Sequence, residues 1–337
     1  MSDRVTLLDN TTWSYPELKE ALNKDSFYYG YLNKAALSSS SAKILYQSAK
    51  SYHKSLNKKQ EETKALRDGR LFHTLVLESD IFFDKYAVVD SSTRTTQKFK
   101  EVELKEEKEV ILEKEYFAML SLYENVRRCD DVIELFKGGK AEVPNFGFIM
   151  NLPFRCKADY LTEDGIVDLK TTQDLDKFQW SAKKYNYDSQ AFVYKNLFGY
   201  DMIFIAIDKN TGQIGIFDCS PQFLERGREK VMKAMELNSA SYTTSSTRAI
   251  KDNISGVGPI IRNSKEDKVN VPGLKQPFIN PPINSPEGKL HRANSIKQTG
   301  IDPYLFRILP KTSFAKANVY LNIHCLPDGL ISLYTCN

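Results

Sequence analysis

The stretch DYLTEDGIVDLK, residues 159–170, decides the fold. One apolar run closes on Asp159, Tyr160 and Leu161. Thr162-Glu163-Asp164-Gly165 is turn chemistry, and Ile166, Val167 and Leu169 form a second apolar run that carries Asp168 and Lys170. Two such runs around a Gly-containing turn predict a β-hairpin. Side chains two apart on a strand share a face, so Asp168 and Lys170 project together while Leu169 points the other way, into a core. Pairing across the turn brings Asp159 near Asp168. Two carboxylates and an ammonium on one face form an expensive cluster unless something uses it, and carboxylates so placed suit Mg²⁺, which takes them together with water and substrate phosphate. A surface salt bridge would explain D-x-K by itself, so the surroundings have to decide.

Outward from the hairpin the pattern is that of an α/β chain. AEVPNFGFIM, LPFRCKADYL and GIVDLKTT read as three consecutive antiparallel strands. FQWSAKKYNYDSQAFVYKNLFG (178–199) reads as one helix, DMIFIAID and GQIGIFDCS as two more strands, and SPQFLERGREKVMKAMELN (220–238) as a closing helix. On the N-terminal side, SYPELKEAL carries a capping box from Ser14 to Glu17, the serine-rich LSSSSAKILYQSAKSYHKSL starts a second helical stretch, and ALRDGRLFHTLVLE (65–78) a third. Gly69 inside that third helix predicts close packing or close backbone approach. Residues 95–120 read as exposed, charge-rich helix, and 121–137 as amphipathic helix stopped by Gly138-Gly139. The expected fold is a central mixed sheet flanked by helices, with a domain over 1–240: N-terminal helices at 14–78 and a catalytic core at 138–238. Residues 241–337 are rich in Ser, Asn, Pro and Gly and read as a poorly structured extension, with a small hairpin through Pro327-Asp328-Gly329 near the end.

Composition bounds the class. Of 337 residues, 41% are hydrophobic and 27% charged, ordinary values for a globular chain, and no apolar run is long enough to span a membrane. The start, MSDRVTLLDN, lacks the form of a signal peptide, so a cytoplasmic location is expected. Five scattered cysteines without a C-x-x-C pair argue against a disulfide framework, zinc or an iron–sulfur cluster, and read as free buried thiols. Residues 1–70 carry 12 Lys+Arg against 8 Asp+Glu, residues 71–247 carry 23 against 29, and residues 248–337 carry 12 against 6. An acidic centre between basic flanks fits metal binding beside a polyanion, and equally fits solvated faces with a basic tail.

The order of elements resembles the PD-(D/E)XK nuclease superfamily. A carboxylate, a strand–turn–strand and then D-x-K match its core, here Asp159, Asp168 and Lys170. Gln190-x-x-x-Tyr194 is similar to the Q-x-x-x-Y element of the RecB-like branch, and Gly69-Arg70-x-x-His73 to its G-R-x-x-H element. Glu142, on the preceding strand, stands where a further family carboxylate would. The serine-rich segment resembles the opening of phage and prophage exonucleases of the exonuclease VIII (RecE) type. Ala158 departs from the pattern, which has proline before the first aspartate. The likeness covers about residues 26–235 and leaves the tail without a counterpart.

The resemblance implies a metal-dependent DNA exonuclease working 5′→3′ on duplex ends. Asp159, Asp168 and the Leu169 carbonyl would ligate Mg²⁺, with Mn²⁺ able to substitute. Glu142 and His73 would complete the shell, and Lys170 would position water. Gln190 and Tyr194 would hold DNA phosphate or steady the site, and Arg70, Arg155, Lys157 and Lys183 would contact DNA. A single-strand annealing protein as partner and a ring-shaped homo-oligomer are implied only in this way. Two alternatives stand beside it. One is a CRISPR-associated RecB-like nuclease, whose four cluster-binding cysteines this chain does not place. The other is a non-catalytic DNA-binding module that keeps the fold.

Overall fold

The computed structural model describes residues 4–56, 62–253, 324–325 and 330–336. The chain divides into two units, Met1–Thr244 with Tyr320–Asn337, and Ser245–Val319. The first unit begins with a small ribbon, β1 (Arg4–Thr6) and β2 (Thr12–Ser14), then α1 (Tyr15–Ala21), where Ser14 and Glu17 close the expected capping box. A π-helical turn (Ser26–Tyr31) leads into α2 (Leu32–Ala35), α3 (Ser39–Gln47) and α4 (Ala49–Ser55). Next come α5 (Lys64–Leu77), capped by Thr63, and α6 (Phe82–Lys85).

Residues 95–120 correct the expectation of continuous helix. α7 (Gln97–Lys105) ends before β4 (Glu109–Leu112), which pairs in parallel with β3 (Tyr86–Val89); α8 (Glu113–Arg128) and α9 (Asp130–Leu135) follow. The reason is local: Val110, Ile111 and Leu112 are an apolar run among charges, and all three are buried. Gly69 is corrected as well, because a side chain there would meet nothing within 4 Å.

The main sheet is built from β5 (Lys140–Ile149), β6 (Leu152–Leu161), β7 (Ile166–Thr172), β8 (Met202–Asp208) and β9 (Ile214–Cys219). β10 (His324–Cys325) and β11 (Leu330–Cys336) extend it past β9, so the order runs β10-β11-β9-β8-β7-β6-β5. Only β7 and β8 run parallel, from Ile166↔Met202 to Thr172↔Asp208; all other neighbours are antiparallel. The crossover joining the parallel pair contains α10 (Phe178–Tyr185) and α11 (Tyr187–Phe198), two helices where one was expected. Asn186 breaks them with a left-handed φ of 57°, a conformation asparagine tolerates better than most residues.

α12 runs from Pro221 to Asn253, past the end expected at 238. It lies close to α11 at Gly227, where an added Cβ would stand 2.0 Å from the Asp188 carbonyl oxygen. Arg226 and Lys230 of α12 grip the fully buried Asp188 carboxylate at 2.6 and 2.7 Å. Phe154, Phe178, Phe204 and Phe223, each at most 1% exposed, fill the core between the sheet and these helices, each contributing roughly 1.5–3 kcal/mol by leaving water.

Candidate active site

The predicted hairpin forms, but its strands part almost at once. Thr162 closes the turn, donating its N–H to the Gly165 carbonyl at 2.9 Å and accepting on Oγ1 from the Asp164 and Gly165 N–H groups. β6 and β7 then pair only at Tyr160↔Val167 and Leu161↔Ile166. β7 turns away along β8, and farther up β6 the Leu37 backbone takes the vacated edge, donating to Pro153 O and accepting from Arg155 N. The Asp159 carboxylate stands in the wedge. Its Oδ2 accepts the Leu169 N–H at 2.8 Å, replacing the missing ladder bond.

His73, on α5, meets the same peptide. Its Nε2–H donates to the Leu169 carbonyl at 2.9 Å while Nδ1 lies 3.4 Å from Asp159 Oδ2. Asp168 is fully buried; one carboxylate oxygen accepts from Lys170 Nζ and the other from the Gln190 side-chain amide. Lys170 Nζ also stands 5.0 Å from the centre of the Tyr187 ring. Side-chain exposures of 25% at His73, 16% at Asp159 and 16% at Lys170 leave a narrow opening onto this cluster.

Electrostatics follow from burial. Desolvation pushes the Asp159 and Asp168 carboxyls up to about 6, with Lys170 pulling both down. Burial works against the Lys170 charge, but Asp168 and Asp159 outweigh it and hold its pKa above the ordinary lysine value. Burial, aided by Lys170, keeps His73 low and thus neutral near pH 7. A neutral imidazole, two carboxylates near ionisation and a carbonyl oxygen are hard donors suited to a divalent cation. The donors fit, although among the described residues no three His, Cys, Asp or Glu side chains are gathered in coordinating geometry. They are closed on protein partners instead: His73 on the Leu169 carbonyl, and Lys170 and Gln190 on Asp168.

Glu142, on β5, lies opposite Asp159 of β6, between the paired couples Ala141↔Tyr160 and Val143↔Ala158. Its φ of 54° is rare for a residue with a side chain and marks a local distortion of the strand. Its carboxylate is held by Lys157 Nζ at 3.0 Å, and Asp25 holds the same ammonium at 3.2 Å.

Three residues expected at the DNA are engaged on the protein itself, Tyr194 in the alternative role of steadying the site. Arg70 is gripped by Glu62 and Glu109 at 2.6 Å each and donates to the Tyr86 hydroxyl, tying α5 to the β3–β4 pair. Arg155 is buried, donating to Asn33 and lying over the Tyr28 ring. Tyr194 is buried and donates its hydroxyl to the Lys157 carbonyl at 2.9 Å, bracing β6. Lys183 is exposed on α10, whereas Lys157 is occupied by Glu142 and Asp25.

Sequence reasoning missed Tyr187, under the Lys170 ammonium; its helical spacing of three from Gln190 was the available signal. It also missed the π-helical turn that carries Tyr28 and Tyr29 beside Lys157. Cys156 and Cys219 are free and buried, but Cys129 is disulfide-bonded, which corrects the expectation of five free thiols. Among the described residues no helix is long and apolar enough to cross a membrane.

No curated protein matches the sequence. A crystal structure described as a "Putative exonuclease" from Eubacterium rectale is similar, with a TM-score of 0.48 and 17% identity over 65% of this chain and 87% of that one. At that distance the likeness carries no argument about chemistry. A family described as "PDDEXK-like domain of unknown function (DUF3799)" matches residues 38–247, which include the hairpin, His73 and α11. The mixed sheet, the splayed hairpin and this match over most of the chain agree: the chain belongs to that PDDEXK-like family.

Proposed function

We propose that this protein is a metal-dependent DNA exonuclease that hydrolyses phosphodiester bonds from duplex ends in the 5′→3′ direction, with Mg²⁺ as its ion and Mn²⁺ able to replace it. The observation that carries the reading is the meeting of Asp159, His73 and Lys170-bound Asp168 around the single Leu169 peptide. Asp159, Asp168, the Leu169 carbonyl and His73 would hold the ion, with Glu142 available once Lys157 releases it. A divalent ion there would draw charge from the scissile phosphate and make water a stronger nucleophile.

The protein's own part is positional. Lys170 remains protonated, so it acts as a hydrogen-bond donor and positive charge near the attacking water or phosphate oxygen. Gln190 fixes the Asp168 carboxylate, and Tyr194 fixes the β6 backbone two residues before Asp159. Water adds to phosphorus, the bond to the leaving sugar oxygen breaks, and that oxygen takes a proton. A single-strand annealing partner and a ring-shaped oligomer rest on the family resemblance alone.

The test is digestion of linear duplex DNA labelled at either the 5′ or the 3′ end, with Mg²⁺ or with EDTA. Early Mg²⁺-dependent release of the 5′ label is expected. Early release of the 3′ label would overturn the direction. Intact linear, nicked and single-stranded DNA under both Mg²⁺ and Mn²⁺ would overturn the activity.

A further inference from the structure

Beside the candidate site lies a surface of lysines and exposed aromatic rings. Most surface lysines with a fixed partner sit on carboxylates, as Lys85 does on Glu78 and Lys177 on Asp174. Among the described residues Lys43, Lys183 and Lys184 have no carboxylate partner. Two of them lie on one aromatic ring instead. Lys43 Nζ is 5.4 Å and Lys184 Nζ 5.5 Å from the centre of Tyr185, whose side is 49% exposed. Trp180, one helical turn before Lys183 and Lys184, is 58% exposed, the most open aromatic side chain among the described residues.

Large aromatic rings left in water call for an explanation more than scattered aliphatic exposure does. This surface is also continuous with the candidate site. Tyr185 stacks on Tyr187 at 6.0 Å with the ring planes 27° apart, and Tyr187 in turn lies under the Lys170 ammonium. The left-handed break at Asn186 makes the juxtaposition, since it ends α10 and starts α11 between these two rings.

From this placement we infer that Tyr185 and Trp180, with Lys43, Lys183 and Lys184, form a stacking platform for single-stranded DNA next to the scissile phosphate. Flat rings accept any base on their faces, and unpaired ammonium groups beside them attract the backbone phosphates, which is how strands are held without sequence preference. The inference rests on the nuclease reading and adds the part of the substrate that the hairpin does not touch.

The test is binding of a short fluorescent oligo(dT) followed by anisotropy in EDTA, with thermal melting of each variant to check folding. Tyr185→Ala, Trp180→Ala and Lys184→Glu should each raise Kd about tenfold or more, and Tyr185→Phe should bind like the wild type. Lys184→Glu changes an exposed side chain at the end of α10, so it stays informative even if an aromatic variant melts early. Wild-type affinity in Tyr185→Ala and Lys184→Glu would overturn the platform, as would a wild-type protein that fails to bind oligo(dT) at low salt. Duplex digestion run on the same wild-type preparation separates the cases: cleavage with no effect of these variants on binding sinks the platform alone, and no cleavage sinks the nuclease reading as well.

Discussion

Asp168 shows how much of the site lies in partners that are remote in sequence. Its neighbour Lys170 is visible in D-x-K, but its second clamp, Gln190, comes from another element 22 residues away. Replacing Gln190 by Ala leaves one buried carboxylate oxygen without a donor. We expect metal affinity, measured by calorimetry, to fall about 10- to 100-fold, the usual cost of losing such a supporting partner. Asp218 offers a test away from the site. Burial pushes its carboxyl from the ordinary 3.8 to about 7, with the Cys219 N–H opposing. Between those pH values the folded protein keeps a proton that the unfolded chain has lost, so this group opposes folding increasingly as pH rises through about 7 and not at all below about 4. Asp218→Asn should therefore stabilise the protein by roughly 1–3 kcal/mol at pH 8 relative to its effect near pH 4, as read by urea denaturation. An equal effect at both values would show that Asp218 ionises normally. What the residue types alone conveyed was the gathering of Asp159, Asp168 and Lys170 at one hairpin. The partners of Arg70 and Arg155 were not legible, because an arginine beside a motif carries no mark of the carboxylates or amide oxygen that will occupy it.

At the level of elements, local chemistry was readable and distant pairing was not. The Ser14 capping box and the three strands of the hairpin region are written in short stretches, and they form, whereas the helix expected over 121–137 breaks at Cys129 and ends at Leu135, before Gly138. The β3–β4 pair is parallel and joins segments about twenty residues apart through a helix, so four-residue apolar runs inside charged sequence gave no local sign of it. The early divergence of β6 from β7 is likewise tertiary, since it depends on Leu37 and β8 taking the freed edges. Gly227 is the clearest element-scale test, because there the α12 backbone approaches the Asp188 carbonyl of α11 too closely for a side chain. Gly227→Ala should destabilise the protein by about 1–3 kcal/mol despite alanine's better helix propensity, and a higher melting temperature would contradict the packing.

A basic N-terminal segment and the lysines of α10 lie in a chain whose middle, residues 71–247, is acidic, and the acidic cluster is where a cation would sit. DNA binding by this arrangement should weaken steeply with salt, as expected when phosphates are held by several lysines, and a Kd unchanged between about 50 and 200 mM salt would speak against a phosphate-tracking surface. Under the proposed function, the groups around the Leu169 peptide would carry out metal-dependent hydrolysis. The most direct measurement is the initial rate of duplex digestion in Mg²⁺ for the wild type, Asp168→Asn and Lys170→Ala, each checked for folding. A loss of about a hundredfold or more in both variants, with the wild type silent in EDTA, is the predicted result. Folded variants that cut as fast as the wild type would place the chemistry elsewhere and contradict the account.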